Sequence, residues 1–525
     1  MLTAEQRTPL VASDKGETVA TLGPDKKVPL DQSRQVYYNA ADYGIVANNS
    51  TSFAAGNGDK LRALIASIPD PSDVGSGAVI VMPPGTTLLA GSFVLSKRMV
   101  VQGHGRTNTT LKRPAGSTGD FFTFNAAYSG IRDLTLEGGR YQNTGTLGMD
   151  NLVINSSYFA GTDFASSKAT GRGIVIGKAA TAIAVNLMNV QTRENRGYDI
   201  ETVAGSGSTD GQWAHLDLAY AGKSSVYLGV GAQNITDIHI WSSGLEEPTD
   251  SAGIILMSSG NTIINLQSEK NLGYGAAVFA SGNKIVGGAI WGNVKEGVLG
   301  SGANNCTLEG VQIYRNCVSN TTGVSSTAFA AIRLVNCQRW RIMVDVWDNN
   351  SAMTGSMPVT APTHPYPGKQ AALGHAYAVI EEGATDYINY SGSTMPKIYT
   401  TGSSTGSPVI IVGHNASFDG CDLLTVATQA ATAVSGTVRV PSYCEAISVN
   451  AGTAITAIAG HKIGKVRQVT ILFTGSGSQT ITSTANLKLA GGSFPAAPGA
   501  VLGLRSIGDS TTAASVWYET FRQTV

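Results

Sequence analysis

Acidic side chains number 36 in 525 residues, and few of them stand close together. Glu246, Glu247 and Asp250 crowd one short stretch, Leu245-Glu246-Glu247-Pro248-Thr249-Asp250. Asp199 and Glu201 flank a single Ile200. Asp345 and Asp348 form a weaker third group. One carboxyl can protonate a leaving oxygen while a second attacks carbon or activates water, which is the chemistry of glycoside hydrolysis. The separations that suit it are about 5–5.5 Å for retention and about 6.5–9.5 Å for inversion. If Asp199-Ile200-Glu201 is a strand, Ile200 points inward and the two acids share the outer face, roughly 6.5–7 Å apart. Arg193 and Arg196 lie just before them, placed either to bind an acidic ligand or to pair with Glu194 or Asp199.

The elements that hold these acids repeat. Gly260-Asn261-Thr262-Ile263 is followed by Gly282-Asn283-Lys284-Ile285 and Gly302-Ala303-Asn304-Asn305, at steps of 22 and 20. Gly231-Ala232-Gln233-Asn234-Ile235 precedes the first by 29, and that longer step contains the acidic 245–250 insertion. Each repeat opens with a β-prone run: Ile238–Trp241, Ile263–Leu266, Ala289–Trp291, Val311–Tyr314, Met343–Trp347. A turn and a second run follow: Gly253–Met257, Gly275–Phe279, Gly297–Leu299, Ala330–Val335. Units of this length cannot bury their faces alone and must stack. They are too short for propeller blades. A parallel β-helix fits, with each repeat one rung and Gly, Asn, Ser and Thr in the turns.

On that reading Glu269 follows the strand Ile263–Leu266, and Glu246 or Glu247 faces it across one or two rungs of about 4.8 Å. The catalytic candidates are therefore Glu246, Glu247, Glu269, Asp199 and Glu201. Trp241, Gln267, Trp291, Tyr314 and Trp347 fall in one column. If Ile240, Leu266, Ile290, Ile313 and Val346 point inward, the column points out. It is then either a stacking surface for sugar rings or a subunit interface. Trp241, Trp291, Tyr314, Trp347 and Arg196 are the binding candidates.

Composition narrows the function. Lys plus Arg also number 36, so the net charge is zero. A neutral chain without basic runs is a poor nucleic-acid ligand. No apolar stretch reaches the roughly 18 residues of a membrane span, and the opening MLTAEQRTPLV is too charged for a signal peptide. Five cysteines without a CxxC pair predict buried thiols rather than zinc or disulfides. The seven histidines lack metal-ligand spacing. No metal or organic cofactor is implied.

The N-terminal side carries more specific signals. In 58–68, Leu61, Leu64, Ile65 and Ile68 form one apolar helix face, suited to closing the open end of a β-helix. Asn39-Ala40-Ala41-Asp42-Tyr43-Gly44 precedes that helix. Ala78-Val79-Ile80-Val81-Met82-Pro83-Pro84-Gly85-Thr86, Val100-Val101-Gln102-Gly103-His104-Gly105-Arg106 and Thr110-Leu111-Lys112 follow it. This series resembles the opening of pectate-lyase-like right-handed β-helix proteins. Asn48, Asn49 and Ser52 stand where that family usually has acids. Near the other end, GKVRQVTILFTG, LKLAGG, LGLRSI and WYETFR, with Trp517, Tyr518 and Arg522, resemble the C-terminal β-domain of bacteriophage tailspikes and related tail proteins. Residues 1–35, with LGPDKKVPLDQ, are similar to tail attachment segments.

The resemblance implies an all-β protein: an attachment segment at 1–35, a right-handed parallel β-helix with its capping helix at 36–400, and a linker and C-terminal antiparallel β-domain at 401–525. It implies a homotrimer fixed to a phage baseplate or tail protein, assembled in the host cytoplasm and acting at the bacterial surface. Its ligand would be a bacterial surface polysaccharide, with no nucleic-acid partner and no membrane insertion. Hydrolytic depolymerisation by paired carboxylates is the first expectation. A non-enzymatic receptor-binding spike and a polysaccharide lyase are the alternatives.

Overall fold

The computed structural model of the chain describes residues 35–69, 77–143, 148–318, 330–347, 377–382 and most of 446–507 and 516–524, with short strands elsewhere. The expected attachment segment lies outside these residues, apart from the strand pair Val11–Ala12 and Thr18–Val19. Asp348, Cys421 and Cys444 also lie outside. The described residues up to Val298 and those from Leu299 onward form two compact units.

The first unit is a parallel β-helix. Along one wall the strands Asn186–Arg193, Gln212–Ala219, Asn234–Trp241, Thr262–Glu269 and Lys284–Trp291 pair in parallel. Along the other, Leu152–Ile154, Ile174–Ile176, Ile200–Thr202, Val226–Leu228, Ala252–Leu256 and Tyr274–Val278 do the same. Each long strand bends at its fourth residue. Asn189, His215, Asp237, Asn265 and Gly287 have φ from +53° to +70° there. Most side chains resist that conformation, and Asn, Asp and Gly accept it best. The bend makes each rung three-sided.

Side chains stack inside the rungs. Leu187, Trp213, Ile235, Ile263 and Ile285 are in register and buried. Burying each such side chain contributes about 1.5–3 kcal/mol before entropy is counted. Two buried asparagine ladders close the turns. Asn261 accepts the Gln233 N–H at 3.0 Å and donates its own N–H to Asn283 Oδ1 at 2.9 Å. Asn271 accepts from Ser243 N–H and donates its own N–H to Asn293 Oδ1, each at 3.0 Å.

The register differs from the sequence reading in one rung. Asn234 pairs with Thr262, a step of 28 rather than 29. Ile238 pairs with Leu266, and Trp241 with Glu269. The run Ile263–Leu266 is mostly the first arm of a bent strand, whereas Ile238–Trp241 is a second arm. Matching unlike arms put Gln267 in the aromatic column, where Glu269 stands.

The expected capping helix is present and longer, spanning Thr51–Ser67. Leu61, Leu64, Ile65 and Ile68 are buried. Gly58 is required within it, because a Cβ there would lie 2.2 Å from Ala90 O. Asn57 ties the helix to the first rungs through Val46 and Leu88. Among the described residues no helix is long and apolar enough to cross a membrane.

In the second unit Thr307–Tyr314 pairs with Arg341–Trp347, and Ala330–Val335 with Tyr377–Glu382, all parallel. Cys306, Cys317 and Cys337 are free and buried. The C-terminal sheet is mixed rather than wholly antiparallel. Ala446–Asn450 runs parallel to Arg467–Thr474, which pairs antiparallel with Val501–Ile507, and that strand with Val516–Gln523. Phe473, Phe494, Leu502, Leu504 and Trp517 form its core. Arg522 binds Glu519 at 2.5 Å and donates to Ser493 O at 3.0 Å.

Candidate functional site

The long strands end at Arg193, Ala219 and Trp241, and the chain then turns toward the facing wall. These turns, with residues 148–150 and 170–172, enclose a groove of about 540 Å³. Asp150, Arg172, Arg196, Tyr198, Glu201, Lys223, Glu246 and Glu247 line it. Glu201 comes from the strand Ile200–Thr202, and Glu246 from the 245–250 insertion. Gly222 lets the insertion sit close. A Cβ there would lie 1.9 Å from Arg196 O, and Gly222 O accepts the N–H groups of Glu246 and Glu247 at 2.6 and 3.1 Å.

Charges are matched across the groove. Arg172 bridges Asp150 at 2.8 Å and Glu201 at 2.7 Å. Lys178 holds Asp150 at 2.7 Å and Asp120 at 2.8 Å. Burial alone would raise the Asp150 pKa, but hydrogen bonds and charges from Arg172 and Lys178 outweigh it and hold the carboxyl below its usual range. Glu246 lies 2.6 Å from Arg140 and 3.3 Å from Arg196. Glu247 meets Lys223 at 2.8 Å, and that ammonium lies 5.6 Å from the Tyr198 ring centre. The Tyr198 phenol is pushed up to about 12, by burial first and then by Glu201.

The groove thus gathers Glu246, Glu247, Glu201 and Arg196 from the sequence-predicted set. It does not include Asp199 or Glu269. Asp199 does not share an outer face with Glu201. The strand starts only at Ile200, and Asp199 lies in the turn before it, pointing into the helix with no exposure. Its carboxylate accepts from Asn195 at 2.7 Å and Ser225 at 2.9 Å. Glu269 does not face Glu246 or Glu247 across the groove either. It accepts from His239 at 3.0 Å and pairs with Lys270 at 3.2 Å. Those partners outweigh burial and lower its pKa.

The aromatic column is broken by Glu269, which stands between Trp241 and Trp291. Ile240, Leu266, Ile290, Ile313 and Val346 are buried, and Trp241, Trp291 and Tyr314 are half-buried beside them. The rings are not bare platforms. Arg193 lies 5.6 Å from the Trp241 ring centre, and Lys270 lies 4.7 Å from that of Trp291. Tyr314 is in register with Trp347 in the second unit, and Asp345 is exposed there.

Sequence reasoning missed Asp150, Arg172, Lys178, Arg140, Lys223, Tyr198 and His239. The signal for the first two was present. Asp120 and Asp150 are 30 residues apart, as are Phe122 and Leu152, which pair. Arg172 follows Asp150 by 22, as Ile174 follows Leu152. These early rungs lack the Gly-Asn marker that made the later ones visible. Among the described residues no group of three or more His, Cys, Asp or Glu is placed to hold a metal.

No protein-family profile matches the chain, and no curated protein sequence does. Solved structures do. The A-module of mannuronan C-5 epimerase AlgE4 from Azotobacter vinelandii matches with TM-score 0.50 and 13% identity, over 74% of this chain and 96% of that one. The pre-mature bacteriophage phi29 gene product 12 matches with TM-score 0.51 and 13% identity, over 78% of this chain and 61% of that one. The chain shares their fold. Full-length tailspike protein 2 from Escherichia coli O157:H7 bacteriophage CAB120 matches with TM-score 0.46 and 12% identity, over 99% of this chain and 66% of that one. The parallel β-helix expected from the repeats, and its right hand implied by the family resemblance, are the architecture of this chain.

Proposed function

We propose that the chain is a phage tail protein that binds a bacterial surface polysaccharide and hydrolyses it in the 148–247 groove. The observation that carries this is the placement of Glu201 and Glu246 in one groove of about 540 Å³, one on a rung strand and one on the insertion. The sequence order of attachment-like segment, β-helix and terminal β-domain supports the tail assignment. In this reading Glu246 takes up a proton from solvent when the glycan parts it from Arg140 and Arg196, and gives it to the glycosidic oxygen as that oxygen's bond to the anomeric carbon breaks. Glu201, held by Arg172, takes a proton from the water whose oxygen bonds that carbon. Two new sugar ends leave, and the carboxyls exchange one proton with solvent.

A binding-only spike has its own support. Asp150, Glu201, Glu246 and Glu247 each have a cation within 2.8 Å, as charges held for recognition would. One assay separates the readings. Purified protein is incubated with surface polysaccharide from a panel of bacteria, and reducing ends and unsaturated-uronate absorbance are followed together. The expected outcome is new reducing ends without absorbance, falling at least a hundredfold in Glu201→Gln and in Glu246→Gln, as for loss of general acid–base catalysis. Absorbance rising with the ends would mean elimination and would sink the paired-acid mechanism. Binding without cleavage would establish the receptor-binding reading.

A further inference from the structure

Glu246 is held between two cations. Its two oxygens reach different guanidinium groups, Arg140 Nη2 at 2.6 Å and Arg196 Nε at 3.3 Å. Arg140 is mostly buried and is fixed independently, donating from Nη1 to Glu194 O at 2.8 Å. Arg196 is about one-third exposed and faces the groove. Beside it, Lys223 and Glu247 form a second, more exposed ion pair at 2.8 Å. The backbone of the insertion does not depend on these side chains, because its N–H groups at 245–247 donate to Ala221 O and Gly222 O. Rotation of Glu246 alone would therefore vacate the site.

We propose that the groove recognises an acidic polysaccharide, and that a sugar carboxylate takes the place of Glu246 between Arg140 and Arg196. This rests on the glycan reading above and adds the substrate class. The argument is one of chemical identity. A carboxylate held by two guanidinium groups marks a position that another carboxylate can fill with the same ion pairs. A neutral sugar in that position would leave one mostly buried and one partly exposed cation uncompensated, which is costly. The Tyr198 ring, with Lys223 over it, offers an apolar face next to a cation, which suits a ring bearing a negative group. Displacement also links recognition to cleavage. The arriving carboxylate releases Glu246 from its cations and leaves it beside the bound sugar.

The test is an array of bacterial glycans, acidic and neutral, probed with the full chain at low and high salt. Wild type is expected to bind acidic glycans only, with affinity falling as salt rises. Arg196→Gln should weaken that binding about threefold to fivefold, the scale of one partly exposed ion pair. Glu246→Gln should tighten it about tenfold while abolishing turnover, because the competitor is removed together with the acid. Lys223→Gln, which removes the cation over the Tyr198 ring, should also weaken acidic binding, and thermal melts confirm that each protein folds. Binding of neutral glycans would overturn the substrate class, and acidic binding that ignores either Arg196→Gln or Glu246→Gln would overturn the displacement of Glu246; both results leave the glycan reading intact. Binding to no glycan would overturn both.

Discussion

Asp199 shows how one turn decides what a residue does. It stands two positions from Glu201 in sequence, yet lies fully buried with Asn195 and Ser225 as donors. Burial pushes its carboxyl up to about 7, against the lowering effect of those hydrogen bonds. An unfolded chain returns it to about 4. The sign follows from linkage. A raised folded value favours the protonated form, so the stability it contributes is complete below about pH 4 and is lost as pH rises toward 7. Asp199→Asn keeps a neutral group at every pH. Thermal melts from pH 4 to 8 should therefore show wild type losing ground to Asp199→Asn across that window and holding level above it. A constant difference would mean that the buried carboxyl does not titrate with folding.

At the scale of the element, the asparagine ladders hold turns between rungs, and one of them reaches Ser243, just before the acidic insertion. Asn271 is fully buried, accepts the Ser243 N–H, and donates from Nδ2 to Asn293 Oδ1 at 2.8 Å and Ser268 Oγ at 3.0 Å. Asn271→Ala leaves the Ser243 N–H without its acceptor inside the rung. Each such group costs about 1–3 kcal/mol, so a loss of about 2–4 kcal/mol is expected in denaturant unfolding. A loss below 1 kcal/mol would show that the turns stand without the ladder. The positions of the first ladder were legible, because Gly260-Asn261 and Gly282-Asn283 marked the repeat; those of Asn271 and Asn293 were not. The acidic insertion was legible for a similar reason, as a break in that repeat. The inward Asp199 was not, because alternation applies only inside a strand and the strand begins one residue later. The place of Glu269 was not, because the left-handed residue Asn265 splits its strand into two arms that look alike in sequence. Asp150 and Arg172 were hidden in rungs whose turns carry no shared marker.

At the scale of the whole molecule, the resemblance to tailspikes leads us to propose a homotrimer, and the groove bears on what that assembly is for. Among the described residues, those that line the groove or pair with its lining lie between Asp120 and Glu247 of one chain. Recognition built this way does not require a neighbouring subunit. Trimerisation would instead multiply identical sites along a polymer, raising avidity through effective concentration rather than through new contacts. Sedimentation should give a species three times the 54.3 kDa chain mass. Dilution or mild dissociation to monomer should preserve the affinity for a short acidic oligosaccharide and reduce that for the long polymer by at least a hundredfold. Equal loss for the oligosaccharide and the polymer would mean that the site is completed across subunits. In that case the Glu201–Glu246 assignment would give way to one that includes a partner chain.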